Sequence, residues 1–316
     1  MKTNIPFTVI GGYLGSGKTT LLNQILRQND GQRIALLVND FGNINIDTEL
    51  IEKQDEEVIE LSNGCICCTL AAEFYFGIQS ILKFDPLPQR VIVEASGVSD
   101  PQRIAAYGQT PGFSLDGVIV VVDAATVREK AMDKYVGRMV CQQIKSADLI
   151  ILNKIDTVTE HQKLEVMDWL RENSPRCRII EAQFGGVPIQ ILLGSALGSI
   201  AKDFEIHAHD HSDDATYQSW SHVSDKPISR AQIECFANGL PKTVLRAKGI
   251  LLLEDAPNQK SIFQLVGQSW RLTSGPEWGE EKKENRIVVL GIQGQLEPKT
   301  LNTFWLECSN SFMDKA

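Results

Sequence analysis

Gly12-Tyr-Leu-Gly-Ser-Gly-Lys18-Thr19 fits GxxxxGK[ST], the spacing that wraps backbone around phosphate. It follows an apolar stretch and precedes a helical run opening Thr20-Leu-Leu. Gly12, Gly15 and Gly17, with Ser16 between them, let the chain curl so that amide N–H groups turn inward on phosphate oxygens. The helix that follows adds the partial positive charge of its N-terminus. In such a loop Lys18 bridges the β- and γ-phosphates and the Thr19 hydroxyl ligates Mg²⁺. Val91-Ile-Val-Glu94-Ala-Ser-Gly97 places an acid at the end of a β-branched run, with a glycine three residues on. That spacing suits a carboxylate holding Mg²⁺ through a water and a glycine meeting the γ-phosphate; an acid capping the turn at 99–101 is the alternative. Lys18, Thr19 and Glu94 are the expected catalytic group.

Asn153-Lys154-Ile155-Asp156 follows the apolar run 149–152, whose carboxyl end is where α/β sheets bind ligands. An Asp there accepts from both N1–H and N2–H₂ of guanine, whereas adenine presents an acceptor at N1 and repels it. The tetrapeptide alone also reads as a turn. In third place behind the phosphate loop and the acid, it points to GTP and GDP rather than adenine nucleotides.

Gly64-Cys65-Ile66-Cys67-Cys68 crowds three of the seven cysteines into four positions, too close for an ordinary disulfide framework. Three thiolates suit Zn²⁺, Cu(I) or another soft or borderline metal. Structural zinc sites close with four protein ligands, so three leave a position open to water, a carboxylate or a partner, and an open site can give its metal away. Redox-active or buried thiols are the alternative. His207, His209 and His211 alternate so that an extended segment presents all three on one side, as an auxiliary metal site or as a solvated linker. Cys141, Cys177, Cys235 and Cys308 stand apart and read as isolated core filler, and His161 and His222 as structural or surface residues.

The elements that must position these groups show as hydrophobic periodicity. Short β-branched runs at 7–10, 34–38, 91–94, 118–122, 149–152 and 178–181 alternate with amphipathic stretches at 18–28, 70–82, 128–145 and 160–172. This is the pattern of βαβ units on a mostly parallel sheet. From 218 onward strands are expected at 218–223, 243–253, 261–266 and 286–290 and helices at 230–238 and 299–307, an α+β pattern with a mainly antiparallel sheet. The expected fold class is therefore α/β, a P-loop NTPase domain with a smaller α+β domain behind it. The expected domains are 1–202, a His/Asp-rich linker at 203–216, and 217–316.

The 316 residues are 43% hydrophobic and 22% charged, ordinary for a folded chain. A net charge of −9 argues against a broad nucleic-acid or anionic-membrane footprint. Apolar runs such as 118–122 fall far short of the roughly 20 residues of a membrane span. The segment 5–14 lacks a clean cleavage site and runs into the glycine-rich loop that cleavage would destroy, so a cytoplasmic location is expected.

GYLGSGKTT, SNGCICC, VIVEASGVSDP, LDGVIVVVDA and NKID, in that order, resemble the CobW-type GTPases, a family of P-loop metallochaperones. LRAKGILLL and PEWGEEKKENRIVVLGI look like that family's C-terminal domain. The resemblance implies a GTPase that carries a transition metal at its Cys-x-Cys-Cys motif and releases it to a client metalloprotein as GTP is turned over. Zinc is the expected cargo, with cobalt or iron as alternatives. Carried over residue by residue, it implies Gly15 to Thr20, Thr20 included, on phosphate and Mg²⁺, and Asn153, Lys154 and Asp156 on guanine. Backbone contacts from 182–186 and the metal on Cys65, Cys67 and Cys68 complete the set. Some relatives carry glutamates flanking Asn39-Asp40-Phe41-Gly42; here those positions are Val38 and Asn43, which leaves Asp40 or Asp47 to substitute. A metal buffer or sensor without delivery is the rival from another class, a small-molecule kinase or ATPase the rival among nucleotide enzymes. A homodimer is a further expectation.

Overall fold

The computed structural model describes residues 4–29, 31–38, 58–62, 71–194 and 217–310. They fall into two compact units, Asn4–Leu193 and a second beginning at Gly194; the predicted linker lies outside the described residues. In the first unit the elements are β1 (Ile5–Gly11), α1 (Lys18–Arg27), β2 (Ile34–Val38), β3 (Val58–Ser62), α2 (Ala71–Ile81), β4 (Arg90–Glu94) and α3 (Pro101–Ala105). Then come β5 (Phe113–Asp123), α4 (Val127–Met132), α5 (Gly137–Ser146), β6 (Leu149–Asn153), α6 (Glu160–Asn173), β7 (Arg178–Glu181) and α7 (Ile189–Leu193). The strands form one sheet in the order β3-β2-β4-β1-β5-β6-β7, and every pairing is parallel. β2, β4 and β6 are buried at every residue, which is why they read as continuous apolar runs rather than alternation.

Two expectations for this unit are corrected. The sheet has a seventh strand, β3, whose Val-Ile-Glu-Leu-Ser carries too short an apolar pattern to stand out beside Glu56 and Glu57. The single helix expected over 128–145 is two, α4 and α5. Asp133 ends α4, and its Oδ1 accepts from the backbone N–H of Tyr135 and Val136 at 2.8 and 3.0 Å, a turn that separates the two helices. The same two bonds hold the Asp133 carboxyl below its usual value. By contrast α6 begins where the pattern placed it. Thr159 Oγ1 accepts from Gln162 N–H while Gln162 Oε1 accepts from Thr159 N–H, a reciprocal cap.

The second unit contains β8 (Tyr217–Ser224), α8 (Arg230–Gly239), β9 (Val244–Leu252), β10 (Gln259–Val266), β11 (Ser269–Glu277), β12 (Asn285–Ile292) and α9 (Pro298–Asn310). Its antiparallel sheet runs β11-β10-β9-β12-β8, the α+β pattern expected. The edge strand β11 escaped the pattern because a Gly-Pro pair interrupts it, which an edge tolerates and a central strand does not. Phe236 and Trp305, from α8 and α9, share a core with Leu251, Phe263 and Val289 of the sheet. Among the described residues no helix is long and apolar enough to cross a membrane.

Cys235 and Cys308 are not isolated: their Sγ atoms lie 2.8 Å apart across α8 and α9. His222 is structural, stacked on Trp220 with centroids 5.7 Å apart and tilted against Trp305 at 5.2 Å. Burial among these rings lowers its pKa from 6.5. Between the folded and unfolded values the unfolded chain binds more protons, so stability rises with pH. The contribution is full above about pH 6.5 and drains away as pH falls through the folded value. Thermal midpoints measured from pH 7 to pH 5.5 are expected to fall for the native chain and to fall less steeply for His222→Gln.

Candidate nucleotide site

The chain leaves β1 toward β2 on one side and leaves β4 toward β5 on the other, so a crevice opens beyond the carboxyl ends of these adjacent strands. Register brings Glu94 beside Ile10 and Asp123 beside Asn153 at that edge. Sequence-separated candidates thus share one end of the sheet.

The loop from Gly12 to Gly17 turns back between β1 and α1. Gly12 has φ +139°, and a Cβ there would lie 2.2 Å from the Val121 carbonyl oxygen. At Gly17, φ is +101° and a Cβ would lie 2.2 Å from Asn153 Nδ2. Only glycine permits both the torsion and the approach. Lys18 and Thr19 occupy the first turn of α1, Thr20 exposed beside them. Lys18 Nζ lies 4.0 Å from Glu94 Oε1, and both side chains are buried. The Ser16 hydroxyl is buried and meets no hydrogen-bond partner among the described residues, leaving a polar atom for a ligand. Glu94 and the Thr19 hydroxyl are hard oxygen donors that suit Mg²⁺. The donor set therefore fits the ion that accompanies a nucleoside triphosphate.

Asn153 is 1% exposed, and its side chain bonds to two segments of the protein. Nδ2 donates to the Ser16 carbonyl and Oδ1 accepts from Gly185 N–H, each at 3.0 Å. It ties the phosphate loop to residues 183–186. Lys154, at φ +60°, lies over the same loop, donating to the Gly15 carbonyl at 2.7 Å and to Asp123 Oδ2 at 2.8 Å. Asp156 sits exposed in the short turn Ile155–Thr157. The expected base-contact segment packs close by: a Cβ on Gly185 would lie 2.9 Å from Leu21 Cα, and the neighbouring Phe184 is exposed at φ +50°. A non-glycine residue held there marks a local constraint.

Gly97 lies under the phosphate loop, where a Cβ would come 2.5 Å from Leu14 Cδ2. Its turn is clamped from α5: Gln143 Nε2 donates to the carbonyls of Gly97 at 3.1 Å and Ser99 at 2.8 Å. Gln142 Nε2 donates to Asp100 Oδ2 at 2.7 Å, and Asp100 caps α3. A shallow cleft opens beside the loop, with Tyr13, Leu14, Ser16, Asp123, Lys130 and Gln143 in its wall. Asp123 and Gln143 had no role in the sequence reading. Asp123 carries the same signal as Glu94, an acid ending a buried strand. Gln143 carries none beyond its place on the buried stripe Val140, Gln143, Ile144. Gln143→Ala is expected to orphan two carbonyls, costing about 1–3 kcal/mol. Chemical denaturation should show that loss, and GTP turnover should slow beyond it because the Gly97 turn is released.

The metal candidates Cys65, Cys67, Cys68, His207, His209 and His211, with Asp40 and Asp47, lie outside the described residues.

Residues 6–181 match the model of the CobW/HypB/UreG nucleotide-binding domain, and residues 217–309 that of the cobalamin synthesis protein cobW C-terminal domain. The chain is 31% identical to a zinc chaperone CobW from a Sinorhizobium species, over 91% of this chain and 93% of that protein. It is 29% identical to the zinc chaperone YjiA of Escherichia coli K12, over 92% and 94%. Against the zinc-regulated GTPase metalloprotein activator 1 of Dictyostelium discoideum it is 27% identical over 93% and 72%. Phosphate loop, buried acid and Asn-Lys-x-Asp strand end stand in one crevice within a matched segment covering more than half the chain, and the chain belongs to the CobW/HypB/UreG family.

Proposed function

We propose that the protein is a GTP-hydrolysing metallochaperone that takes Zn²⁺ on Cys65, Cys67 and Cys68 and passes it to a client metalloprotein under control of the bound nucleotide. The observation that carries this reading is the gathering of Lys18, Glu94, Gly97 and the Asn153 clamp around one phosphate loop. Relatives named zinc chaperones and a zinc-regulated GTPase support the cargo and the activity.

Topology supports the coupling. The thiol cluster lies in the connection between β3 and α2. Ser62, which ends β3, is in register with Val38, and Val38 with Glu94. Two strand spacings of about 4.8 Å separate Ser62 from Glu94. Cys65 is three residues further on, so the cluster's connection starts at the sheet edge where the γ-phosphate would lie.

In this mechanism the phosphate loop binds the nucleotide and Lys18 meets the charge on the β- and γ-phosphates. Asp156 reads the N1–H and N2–H₂ of guanine, while Asn153 and Lys154 keep the loop in its binding shape. Thr19 and Glu94 would hold Mg²⁺, which when bound neutralises charge on the phosphates. Gly97, under Leu14, places its turn where the presence or loss of the γ-phosphate is felt, and β3 carries that state to the thiols. His207, His209 and His211 serve as a first-capture site. Asp40 or Asp47 would supply the carboxylate that the flanking positions lack.

Zinc affinity measured by competition with a chromophoric chelator tests this, with Mg²⁺–GDP and then with a non-hydrolysable GTP analogue. A difference of tenfold or more, about 1.4 kcal/mol of coupling, that vanishes in Cys67→Ser is the expected result. Equal affinity with either nucleotide would reduce the protein to a metal buffer with a GTPase fold.

A further inference from the structure

The four described cysteines differ in their surroundings. Cys141 and Cys177 each direct Sγ at a backbone carbonyl, of Ala131 and Arg178. Cys235 and Cys308 direct theirs at each other, 2.8 Å apart. That exceeds a disulfide bond of about 2.05 Å and is closer than two non-bonded sulfurs ordinarily approach.

The helices build this approach. Gly239 of α8 passes so near α9 that a Cβ on it would fall 2.3 Å from Phe304 Cζ. The Phe236 ring stacks on Phe304 with centroids 5.7 Å apart and meets Trp305 edge-on at 4.9 Å. Interlocked rings set the helix spacing, and the thiols inherit it. Cys235 is half-buried, within reach of a small reagent, whereas Cys308 is 3% exposed. Burial, and then the neighbouring thiol, push Cys308 up to about 12. Among the described residues no cluster of three His, Cys, Asp or Glu side chains could hold a metal ion.

We propose that Cys235 and Cys308 form a reversible disulfide that ties α8 to α9, making the C-terminal unit responsive to low-molecular-weight disulfides. Cys235 gives up its proton and attacks one sulfur of the reagent R–S–S–R; that S–S bond breaks, a mixed disulfide forms, and the departing sulfur takes up a proton and leaves as R–SH. Cys308 then gives up its proton and attacks Cys235 Sγ, closing the protein disulfide and releasing the second R–SH. Two protein thiols are oxidised and one small disulfide is reduced. The link spans 73 positions of sequence, a long ring whose closure restricts the unfolded chain.

The test exposes the full chain to oxidised glutathione, alkylates free thiols and maps every cysteine by peptide mass spectrometry. Expected is a Cys235–Cys308 link, reversed by dithiothreitol, with a thermal midpoint raised by several degrees in the native sequence and unchanged in Cys308→Ser. Glutathione left on Cys235 alone, cross-links confined to other cysteines, or both thiols still open to alkylation would overturn the proposal. Near-ultraviolet circular dichroism of the Trp220, Trp270 and Trp305 region confirms that Cys308→Ser keeps its packing.

Discussion

Lys18→Ala is expected to lower GTP turnover at saturating GTP by about 10²- to 10³-fold, the cost of removing one preorganised group that meets transition-state charge. Lys18 is 7% exposed and stands 4.0 Å from a Glu94 carboxylate that is itself buried. In so enclosed a place a charge is screened less than it would be in bulk water. Truncation also leaves Glu94 without its nearby cation, which costs stability because a buried charge has lost compensation. Single-turnover phosphate release separates the two effects, with a thermal melt as control for folding. Equal losses in kcat and kcat/KM would place Lys18 on the transition state. A rise in KM with kcat intact would assign it to ground-state binding alone. Lys18→Arg is expected to fare little better, since a planar guanidinium does not fit the space of a compact ammonium.

Asn153→Ala is expected to weaken guanine-nucleotide binding by about ten- to a hundredfold. The substitution orphans the Ser16 carbonyl and the Gly185 N–H, each unsatisfied group costing about 1–3 kcal/mol, and every 1.4 kcal/mol is tenfold in affinity. Part of that cost falls on folding, which is why less than the sum reaches the ligand. The effect runs through the shape of the phosphate loop, so GDP and GTP should weaken together. Asp156→Asn, by contrast, should shift preference among bases while leaving the loop intact. Equilibrium titration with fluorescent GDP, GTP and their xanthine analogues distinguishes the two. Unchanged affinity in Asn153→Ala would mean that the loop holds its shape without the clamp.

The nucleotide site was legible wherever its chemistry is contiguous. The phosphate loop is a run of backbone torsions in neighbouring residues, and the spacing of Gly12, Gly15 and Gly17 specifies it without reference to anything distant. The parallel sheet announced itself because strands buried on both faces must be continuously apolar, as β2, β4 and β6 are. β3 and β11 were missed for the complementary reason: an edge position does not demand an apolar run.

What one dimension could not show is partnership. Asn153, expected on guanine, also holds the Ser16 carbonyl and the Gly185 N–H, 137 and 32 positions away. Gln143 reaches a carbonyl 46 positions back, and Cys235 and Cys308, apart in sequence, meet between two helices. Each depends on strand order, register or helix spacing, quantities that periodicity does not encode. Local torsion and solvent exposure write themselves into residue type and spacing, so the sequence by itself determined the phosphate loop and the two fold classes. Which groups are joined to which was decided only when packing brought the strand ends into one edge, because a side-chain contact is a property of two segments at once.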